Sequence, residues 1–485
     1  MAYAFNHGEA IRSFEEALRH DPTAGMAYWG IAYSLGPNLH AGMSASQERR
    51  AVQAIRKATA LAKRLSARER DYVAALSYRY SEEPGNHRQV LDDRYADAMR
   101  LLARTYSRDP DAATLYAEAL MMRSPGEYWA RDGQPKRFTV EIMSLLERVL
   151  KQRPSHPGAC HLYIHVVEAS EHPERGLACG ERLPNVAPGA GHLVHMPAHV
   201  YMRIGRYAEA VERAVHGAHA DAAYLREKDA DQSYRMFSYV HNLQVLWDAS
   251  AMDGRSGQAS KAAAELARAI SPATQSTGSG REALWTVPMM GHVRFGRWEK
   301  VLKEPAPPDG FRYTMGVRHF ARGLAYMRMD QLERADEERR RLGIVIDEMT
   351  DERVVGINPA KTILEIAEHV LVGELAAVRD QEELAVQALE EAVAIEDTLR
   401  YEEPATWPLP VRQTLGAVLL SFGRAAEAEQ RYREDLHRHP RNGWSLYGLA
   451  QALNAQRKAE AARTIEKELR AAWARSDVKL SGSRF

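Results

Sequence analysis

The sequence LGAVLLSFGRAAEAEQRYREDLHRHP, residues 415–440, has a pattern that returns in YGLAQALNAQRKAEAARTIEKEL, residues 447–469. Gly416 and Ala450 occupy matching places in the two stretches and lie 34 residues apart. In both stretches apolar residues recur at spacings of three and four, the period of a helix with one buried face. A short break divides each stretch into two helical segments. A period of this length with two helices in each copy predicts an array of helical hairpins.

Further copies of the pattern occur elsewhere among the 485 residues. Together they resemble the tetratricopeptide repeat (TPR) family, whose repeat has small residues at positions 8 and 27, glycine near 15, alanine at 20, a large residue at 24 and proline at 32. In the copy that starts at residue 409, the matching residues are Gly416, Gly423, Ala428, Tyr432 and Pro440. The other matching residues are Ala10, Phe14, Ala17 and Pro22; Ala198, Tyr201, Gly205, Tyr207, Ala210 and Ala214; and Gly323, Tyr326, Leu332 and Ala335.

The repeat pattern has a simple physical basis. Small residues let the first helix of a hairpin, helix A, pack closely on the second, helix B, and proline ends helix B. Because neither helix buries its apolar face alone, neighbouring hairpins stack. The resemblance therefore implies an all-α fold, a TPR-like helical-hairpin solenoid wound as a right-handed superhelix. We expect one solenoid over residues 1–485, with a histidine-rich central part at 157–254 and a C-terminal TPR pair at 409–474.

Loop insertions are expected where the repeat register breaks. These stretches are rich in glycine, proline and serine, or are out of phase with the repeat. They lie at about residues 36–48, 80–90, 123–137, 225–238, 271–281 and 303–312.

Composition narrows the class of protein. Lys and Arg total 65, as do Asp and Glu, and a net charge near zero argues against a nucleic-acid partner. No stretch approaches 18 uninterrupted apolar residues, and Glu9, Arg12 and Glu15 interrupt the N-terminal segment, so neither a transmembrane helix nor a signal peptide is expected. The two cysteines, Cys160 and Cys179, exclude a disulfide scaffold and a thiolate-rich zinc site. We therefore expect a soluble cytoplasmic protein with no membrane partner.

Histidines cluster in two stretches, CHLYIHVVE at 160–168 and GHLVHMPAHVYMRIGRY at 191–207. The repeats to which they belong start 34 residues apart, so their histidines fall at matching positions. The residues concerned are His161 and His195 at position 5, His165 and His199 at position 9, His192 at position 2, and Glu168 at position 12. Positions 5, 9 and 12 lie on one face of a helix. In the TPR family, positions 2, 5, 9 and 12 line the concave groove, so the resemblance implies that these six side chains share one patch.

Such a patch has the geometry of a metal site. Histidines four residues apart on a helix are about 5–6 Å apart at Cβ, and helices pack about 8–10 Å apart, so imidazoles from two helices can meet one ion. His241, at position 2 of a following helix A, is a further candidate ligand. Pro197 suits the first turn of its helix, which would place His192 and His195 at the helix entrance. Imidazole ligands without thiolates favour copper or iron, with zinc as a third choice.

The histidine patch leads to the hypothesis of a metal-dependent enzyme, a copper or non-heme iron oxidoreductase acting on a small molecule in the concave groove. A zinc hydrolase, in which a zinc-bound water attacks the substrate, is the nearest variant. The alternative is a TPR protein–protein interaction scaffold that binds a peptide in the groove without metal, since groove histidines also bind peptide carboxylates. Because the chain has 19 histidines, chance clustering is part of that alternative.

Two other segments are candidates for binding the substrate. In AYAFNHGEA and YWGIAYSLGPNLHAG the candidate residues are His7, Trp29, Tyr33 and Asn38. Trp29 and Tyr33 occupy groove positions 5 and 9 of their helix, although an aromatic pair at helical spacing is more often part of a core. In LRYEEPATWPLPVRQTLG the candidate residues are Tyr401, Glu402, Glu403 and Trp407, which lie among three prolines. That segment is interpreted either as a carboxylate-bearing lid or as a stiff linker.

The chain as a whole, beyond its repeats, resembles a bacterial group of TPR proteins with a histidine-rich HMPAH segment. The resemblance rests on HLYIHVVEAS at 161–170, AGHLVHMPAHVY at 190–201, AYWGIAYSLGPN at 27–38 and YEEPATWPLPVR at 401–412. It implies the TPR fold and no particular activity.

Overall fold

Helices account for most of the described chain. The structure is a computed structural model that describes residues 1–83, 87–227, 234–270, 282–350 and 352–485. Within these ranges helices follow one another in hairpins, and the strands are limited to one short antiparallel pair, β1 (Val354–Val355) and β2 (Asn358–Pro359). The prediction of an all-α, TPR-like fold of helical hairpins is therefore confirmed.

The described residues form two compact units. The first comprises Met1–Val200 and Val215–Tyr239, and the second comprises Tyr201–Ala214 and Val240–Phe485. The single solenoid expected over residues 1–485 stays a prediction.

The first unit is built from consecutive helices. Its α-helices are α1 (His7–His20), α2 (Gly25–Leu35), α3 (Ala45–Ala60), α4 (Ala67–Ser77), α5 (Arg88–Thr105), α6 (Pro110–Met121), α7 (Thr139–Gln152), α8 (Pro157–Val167) and α9 (Leu177–Val186). Two more helices, α10 (Gly191–Arg203) and α11 (Tyr207–Glu227), have residues in both units. Short 3₁₀ helices lie at Ala2–Ala4, Ala62–Arg64 and Pro173–Gly176, and a π-helical turn lies at Arg235–Tyr239.

The second unit continues the hairpin pattern. Its α-helices are α12 (Val240–Met252), α13 (Ser256–Ile270), α14 (Val287–Arg294), α15 (Trp298–Lys303), α16 (Arg312–Arg328), α17 (Leu332–Asp347), α18 (Ala360–Val378), α19 (Glu382–Glu396), α20 (Val411–Ser421), α21 (Ala425–Arg438), α22 (Gly443–Ala455) and α23 (Ala459–Ala472). A 3₁₀ helix at Ala283–Thr286 precedes α14. The predicted C-terminal repeat pair at 409–474 corresponds to α20–α23.

Caps set the start of the helices that carry functional candidates. Asn6 Oδ1 accepts a hydrogen bond of 3.2 Å from the backbone N–H of Glu9, which fixes the start of α1 at His7. His156 Nδ1 accepts one of 3.1 Å from the backbone N–H of Ala159. Pro157 then occupies the first position of α8, where its missing N–H costs nothing. The helix therefore begins at the residue that the repeat register predicts.

Glycine at repeat position 15 ends three of the A helices. Gly205, Gly254 and Gly423 have φ angles of 73°, 70° and 77°, which end α10, α12 and α20. This left-handed conformation is strained for residues with a Cβ and is open to glycine. All three glycines lie just beyond the last residue of a helix, as expected for repeat position 15.

Tyr432, at repeat position 24, shows why the repeat keeps small residues. Its ring is fully buried and lies against Gly416 of α20 and Gly448 of α22. A Cβ on Gly416 would come within 2.5 Å of the tyrosine Cζ, and a Cβ on Gly448 would be closer still. Glycine at both places lets three successive helices close around one large side chain.

Replacing Gly448 with alanine is expected to lower the free energy of unfolding by about 1–3 kcal/mol, because the added methyl overpacks the Tyr432 ring. The matched control is Gly343→Ala in α17, where the nearest atom is the end of the Glu368 side chain at 3.2 Å. There we expect no loss, or a gain of about 0.5–1 kcal/mol from helix propensity. Urea denaturation followed by circular dichroism measures both. Equal effects in the two variants would contradict the packing argument.

The predicted loop insertions agree with the structure in most places. Non-helical connections separate α2 from α3, α6 from α7, and α15 from α16, and the described residues between α4 and α5, 78–83 and 87, are also non-helical. The prediction for residues 225–238 is wrong in part, since α11 extends to residue 227 and a π-helical turn occupies 235–239. The predicted insertion at 271–281 lies outside the described residues.

Candidate metal centre

Helices α8 and α10 bring the predicted histidines into one buried cluster of the first unit. Both helices are apolar around most of their circumference, so polar side chains placed among the apolar ones are buried too. The buried polar residues are His161, His165, His192, His195 and His199, with Glu168 at the C-terminal end of α8. The face predicted from repeat positions 2, 5, 9 and 12 is therefore the face on which these side chains meet.

Pro197 lies inside α10, and the expectation that it occupies the first turn is wrong. The helix begins at Gly191, so His192 lies in its first turn and His195 in the next. Leu193 and Met196 of this helix are buried. Their burial offsets the cost of an internal proline, which is about 3 kcal/mol.

The Nε2 atom of His161 lies close to the Nε2 atoms of both His165 and His192. The Nε2 atoms of His161 and His165 are 3.0 Å apart, and the Nε2 atoms of His192 and His161 are 2.8 Å apart. The ring centroids of His165 and His192 are 6.0 Å apart. We refer to these three residues as the histidine trio.

A second pair of nitrogens meets along α10. The Nε2 atoms of His195 and His199 are 3.1 Å apart, as expected for residues four apart on one helix. The rings of His192 and His195, with centroids 4.9 Å apart, connect this histidine pair to the trio.

The other ring nitrogen, Nδ1, faces an oxygen in four of the five histidines. His161 Nδ1 is 2.7 Å from the backbone oxygen of Tyr3, and His195 Nδ1 is 3.4 Å from the backbone oxygen of Gly191. Glu168 supplies the other two oxygens. Its Oε1 is 3.1 Å from His165 Nδ1, and its Oε2 is 2.8 Å from His199 Nδ1.

These partners fix the tautomers. A backbone carbonyl or an ionised carboxylate only accepts hydrogen bonds, so each of the four Nδ1 atoms carries its proton. In a neutral ring the Nε2 atom then bears a lone pair. Two acceptor nitrogens therefore face each other in each of two contacts, at 3.0 Å between His161 and His165 and at 3.1 Å between His195 and His199.

Burial disfavours the protonated form that would relieve such contacts. Burial, reinforced by His165, holds the pKa of His161 well below its usual value, and burial together with His161 does the same for His192. Burial raises the pKa of Glu168, but His199 and His165 outweigh it, and the net shift of that pKa is downward. Burial thus favours the neutral form of His161 and His192, next to the ionised carboxylate of Glu168.

His40, on the loop between α2 and α3, adds a fourth imidazole to the trio. One nitrogen from each of His40, His165 and His192 lies within 4.8 Å of the other two. Asn38 holds the loop, because its Oδ1 accepts hydrogen bonds of 2.9 Å from the backbone N–H groups of His40 and Ala41. His40 is exposed whereas the other two rings are buried. The predicted substrate residue Asn38 therefore acts on the site by shaping this loop.

Phe5 packs against four histidine rings and is a residue that the sequence reasoning missed. Its ring centroid lies 4.6 Å from that of His161, 5.4 Å from His40, 5.8 Å from His192 and 6.0 Å from His7. Its φ angle is 54°, in the left-handed region, which is unusual for a bulky residue. The phenylalanine gives the cluster an apolar wall.

His7, Trp29 and Tyr33 lie beside Phe5 and form an aromatic wall of the same unit. The rings of Trp29 and Tyr33 stack with centroids 5.4 Å apart, and His7 lies 6.3 Å from Tyr33. Tyr33 donates a hydrogen bond to the buried Glu118, and Trp29 Nε1 donates one of 3.1 Å to a backbone oxygen. Burial, assisted by a nearby arginine, lowers the pKa of His7 to about 4. Tyr33 is thus part of the packed interior, with its hydroxyl group already bonded.

The remaining predicted site residues belong to the second unit. His241 lies in α12. Glu402 accepts hydrogen bonds from the backbone N–H of Ile357 at 3.2 Å, from Asn358 at 3.1 Å and from the Thr406 hydroxyl at 2.6 Å. Its carboxylate therefore ties the loop before α20 to the strand pair.

The other three candidates in that loop make different contacts. The Tyr401 hydroxyl donates to Glu403 at 3.3 Å, and the Arg203 guanidinium lies 5.3 Å from the Tyr401 ring. Trp407 is buried, with its ring centroid 5.3 Å from that of Phe320. Pro404, Trp407 and Pro410 of this segment are buried and Ala405 is exposed, and both interpretations, the lid and the stiff linker, stay predictions.

Comparisons with known proteins add little to this geometry. No protein-family model matches the sequence, and no curated protein matches it. Among solved structures, the human IFIT1 dimer with m7Gppp-AAAA is 12% identical, with a TM-score of 0.37 over 88% of this chain and 87% of that one. The APC/C hetero-tetramer Cut9-Hcn1 is 10% identical, with a TM-score of 0.30 over 97% and 91% of the two chains. Likenesses this low carry no argument about ligands or function.

Within the described ranges, no helix is both long enough and apolar enough to span a membrane.

Proposed function

We propose that the first unit binds a transition metal ion through the Nε2 atoms of the histidine trio, with His40 as an additional ligand from the loop. The observation that carries the proposal is the direct contact of Nε2 atoms at 2.8–3.0 Å in a buried site. Two nitrogens bound to one ion at about 2.0–2.1 Å are about 2.8–3.4 Å apart for angles between 90° and tetrahedral. The observed separations match those of nitrogens that bind a common ion. A cation between them would accept the lone pairs that otherwise repel each other.

The Nδ1 partners support the same proposal. Metal-ligating histidines commonly donate their other N–H to a carboxylate or a backbone oxygen, which fixes the tautomer and makes the ligand more basic. His161 and His165 meet this description through Tyr3 and Glu168. The histidine pair, His195 and His199, meets it as well, and provides ligands for a second ion.

The metal would carry the chemistry. Imidazole ligation suits copper, iron and zinc, and of these copper and iron support oxidation whereas zinc supports hydrolysis. We propose a copper or iron oxidoreductase, because the donors are imidazole nitrogens and an exposed ligand, His40, leaves one side of the trio accessible to a small substrate. Phe5 and the buried helices α8 and α10 would exclude bulk water from the other sides.

Elemental analysis of the full chain tests the proposal. Untagged protein is purified without chelator, loaded in turn with Cu²⁺, Fe²⁺ and Zn²⁺, desalted and measured by plasma mass spectrometry. We expect at least one ion per chain for one of the metals. Protein that retains none of them would overturn the metal centre.

A second candidate function, an interaction scaffold, is favoured by a separate observation in the second unit. There the non-helical segment Ser476–Phe485 lies against the A helices, through contacts of Ser483 with Gln413 and of Arg484 with Glu374. A metal-free result would leave this function as the main one.

Replacing Glu168 with glutamine is expected to weaken metal binding about 10–100-fold. An amide has one accepting oxygen and a donating NH₂, so it cannot accept from both His165 and His199. One of those rings must then move its proton to Nε2, the atom proposed to bind metal. Chelator competition measures the affinity. The matched control is Glu174→Gln, which alters an exposed carboxylate 3.2 Å from the exposed His172, and unchanged affinity is expected there. Equal affinities in both variants would contradict the role given to Glu168.

A further inference from the structure

The segment Ser476–Phe485 forms no helix or strand and is fixed at its start to the second unit. The Asp477 carboxylate accepts hydrogen bonds of 2.7 and 2.9 Å from the backbone N–H groups of Ser256 and Gly257, at the first turn of α13. This is the favourable place for a negative charge at a helix N-terminus. Beyond it the backbone oxygen of Val478 accepts a hydrogen bond of 2.9 Å from Trp473 Nε1, at the end of α23.

The last three residues of the segment make side-chain contacts of three different kinds. The Ser483 hydroxyl donates to the backbone oxygen of Gln413 at 2.8 Å and lies 2.8 Å from the Tyr432 hydroxyl. Arg484 Nε lies 2.8 Å from the carboxylate of Glu374. The Phe485 ring packs edge-on against Trp444, with centroids 5.7 Å apart. A small polar residue, a cation and an aromatic ring are thus each recognised separately.

The surface that receives them is formed by the A helices α14, α16, α18 and α20 and by the loop before α20, with Trp444 of α22 against the Phe485 ring. We call it the A-helix groove and define it by Arg328, Glu374, Trp407 and Gln413, which line it together with the segment. Only about 40 Å³ of cavity remains beside the segment. The segment therefore fills a groove that the helices would otherwise leave open.

Without the segment Glu374 keeps a charge partner, whereas Arg328 Nε loses the hydrogen bond of 3.1 Å that it donates to the Phe485 oxygen. Arg328 Nη2 donates to both oxygens of Glu374 at 3.0 Å, so the buried carboxylate keeps a cationic partner when Arg484 leaves. Two donors that line the groove, Trp407 Nε1 and Arg294 Nε, are buried and have no hydrogen-bond partner within the described ranges. A hydrophobic core does not need a carboxylate and unused donors, whereas a surface that binds peptide backbone and side chains does.

We propose that the A-helix groove is a binding site for an extended peptide with a small polar residue, an arginine and an aromatic residue in succession, and that Ser483–Phe485 occupies it as an internal competitor. Glu374 selects the arginine, and Trp444 selects the aromatic ring. A partner with this sequence binds by displacing the segment. This proposal concerns the second unit and does not depend on the metal centre.

The test uses a fluorescently labelled LSGSRF peptide, residues 480–485, and fluorescence anisotropy. In the full chain, Ser483, Arg484 and Phe485 are replaced together by glycine, which frees the groove. We expect this variant to bind the peptide at least 10-fold more tightly than the unaltered chain does. We also expect the LSGSEF peptide, or a further Glu374→Gln change in the variant, to abolish the binding.

Three results would overturn the proposal. The first is a folded variant that does not bind the peptide, and the second is equal binding by the variant and the unaltered chain. If the triple variant does not fold, Arg484→Ala alone replaces it, because Glu374 keeps its pair with Arg328. Failure of both to fold is the third result, since it would make the segment a part of the core.

Discussion

The double variant His161→Ala/His195→Ala is expected to lose metal binding altogether in the first unit. It removes one nitrogen from each of the two acceptor contacts, the one with His165 and the one with His199. Loss of an outer-shell partner alone costs about 10–100-fold in affinity, so loss of two ligands should exceed that range. Plasma mass spectrometry after metal loading and desalting measures the result.

This pair of substitutions is chosen to spare the fold. The Nδ1 partners of His161 and His195 are backbone oxygens, so Glu168 keeps its contacts with His165 and His199. The matched control is His20→Ala/His172→Ala, which removes two histidines with largely exposed side chains. Metal content should fall in the first variant and stay unchanged in the control. Full metal content in His161→Ala/His195→Ala would show that the ligands lie elsewhere.

Trp444→Ala is expected to cost about 3–5 kcal/mol in the free energy of unfolding of the second unit. Trp444 is fully buried in α22, and its Nε1 donates a hydrogen bond of 3.1 Å to the backbone oxygen of Ala251. The Arg294 guanidinium lies 4.0 Å from its ring centroid, and the Trp473 ring packs edge-on at 5.4 Å. Removing the indole leaves a large cavity and takes the aromatic face away from a buried cation.

Urea denaturation followed by far-ultraviolet circular dichroism measures this cost. The matched control is Tyr447→Ala, on the same helix but half-buried. Its loss should be clearly smaller, because less apolar area leaves the core. A cost below about 1 kcal/mol for Trp444→Ala would contradict its place at the centre of the unit.

The repeat register was predictable because it depends on short-range packing. Glycine at position 15 takes a left-handed conformation, and glycines face the Tyr432 ring. Each of these requirements selects a small residue at a fixed position of the repeat, which can be recognised in the sequence. The same offsets place His161 and His195 at one position in successive repeats. The clustering of the five histidines and Glu168 therefore followed from the sequence, while their role as metal ligands stays a proposal.

Other parts of the site lie outside the repeat pattern. His40 was not predicted as a metal ligand, because it lies on a loop whose path depends on Asn38. Phe5 and the Tyr3 carbonyl contact the histidines from a segment that precedes the first α-helix. Helical periodicity carries no information about such segments. The misplaced start at Pro197 has a different cause, since the local preference of proline for a first turn was outweighed by burial of α10.

Glu168 holds His165 with one oxygen and His199 with the other, so one carboxylate serves both groups of nitrogens. Two binding events that share such a support are thermodynamically linked, and each changes the affinity of the other by the same factor. Drawing the carboxylate towards one ring as that ring binds its ion shifts the basicity of the other. Metal binding at the histidine trio would then lower the affinity of the histidine pair, and binding at the pair would lower that of the trio by the same factor. A titration with metal would therefore depart from the curve of two independent sites.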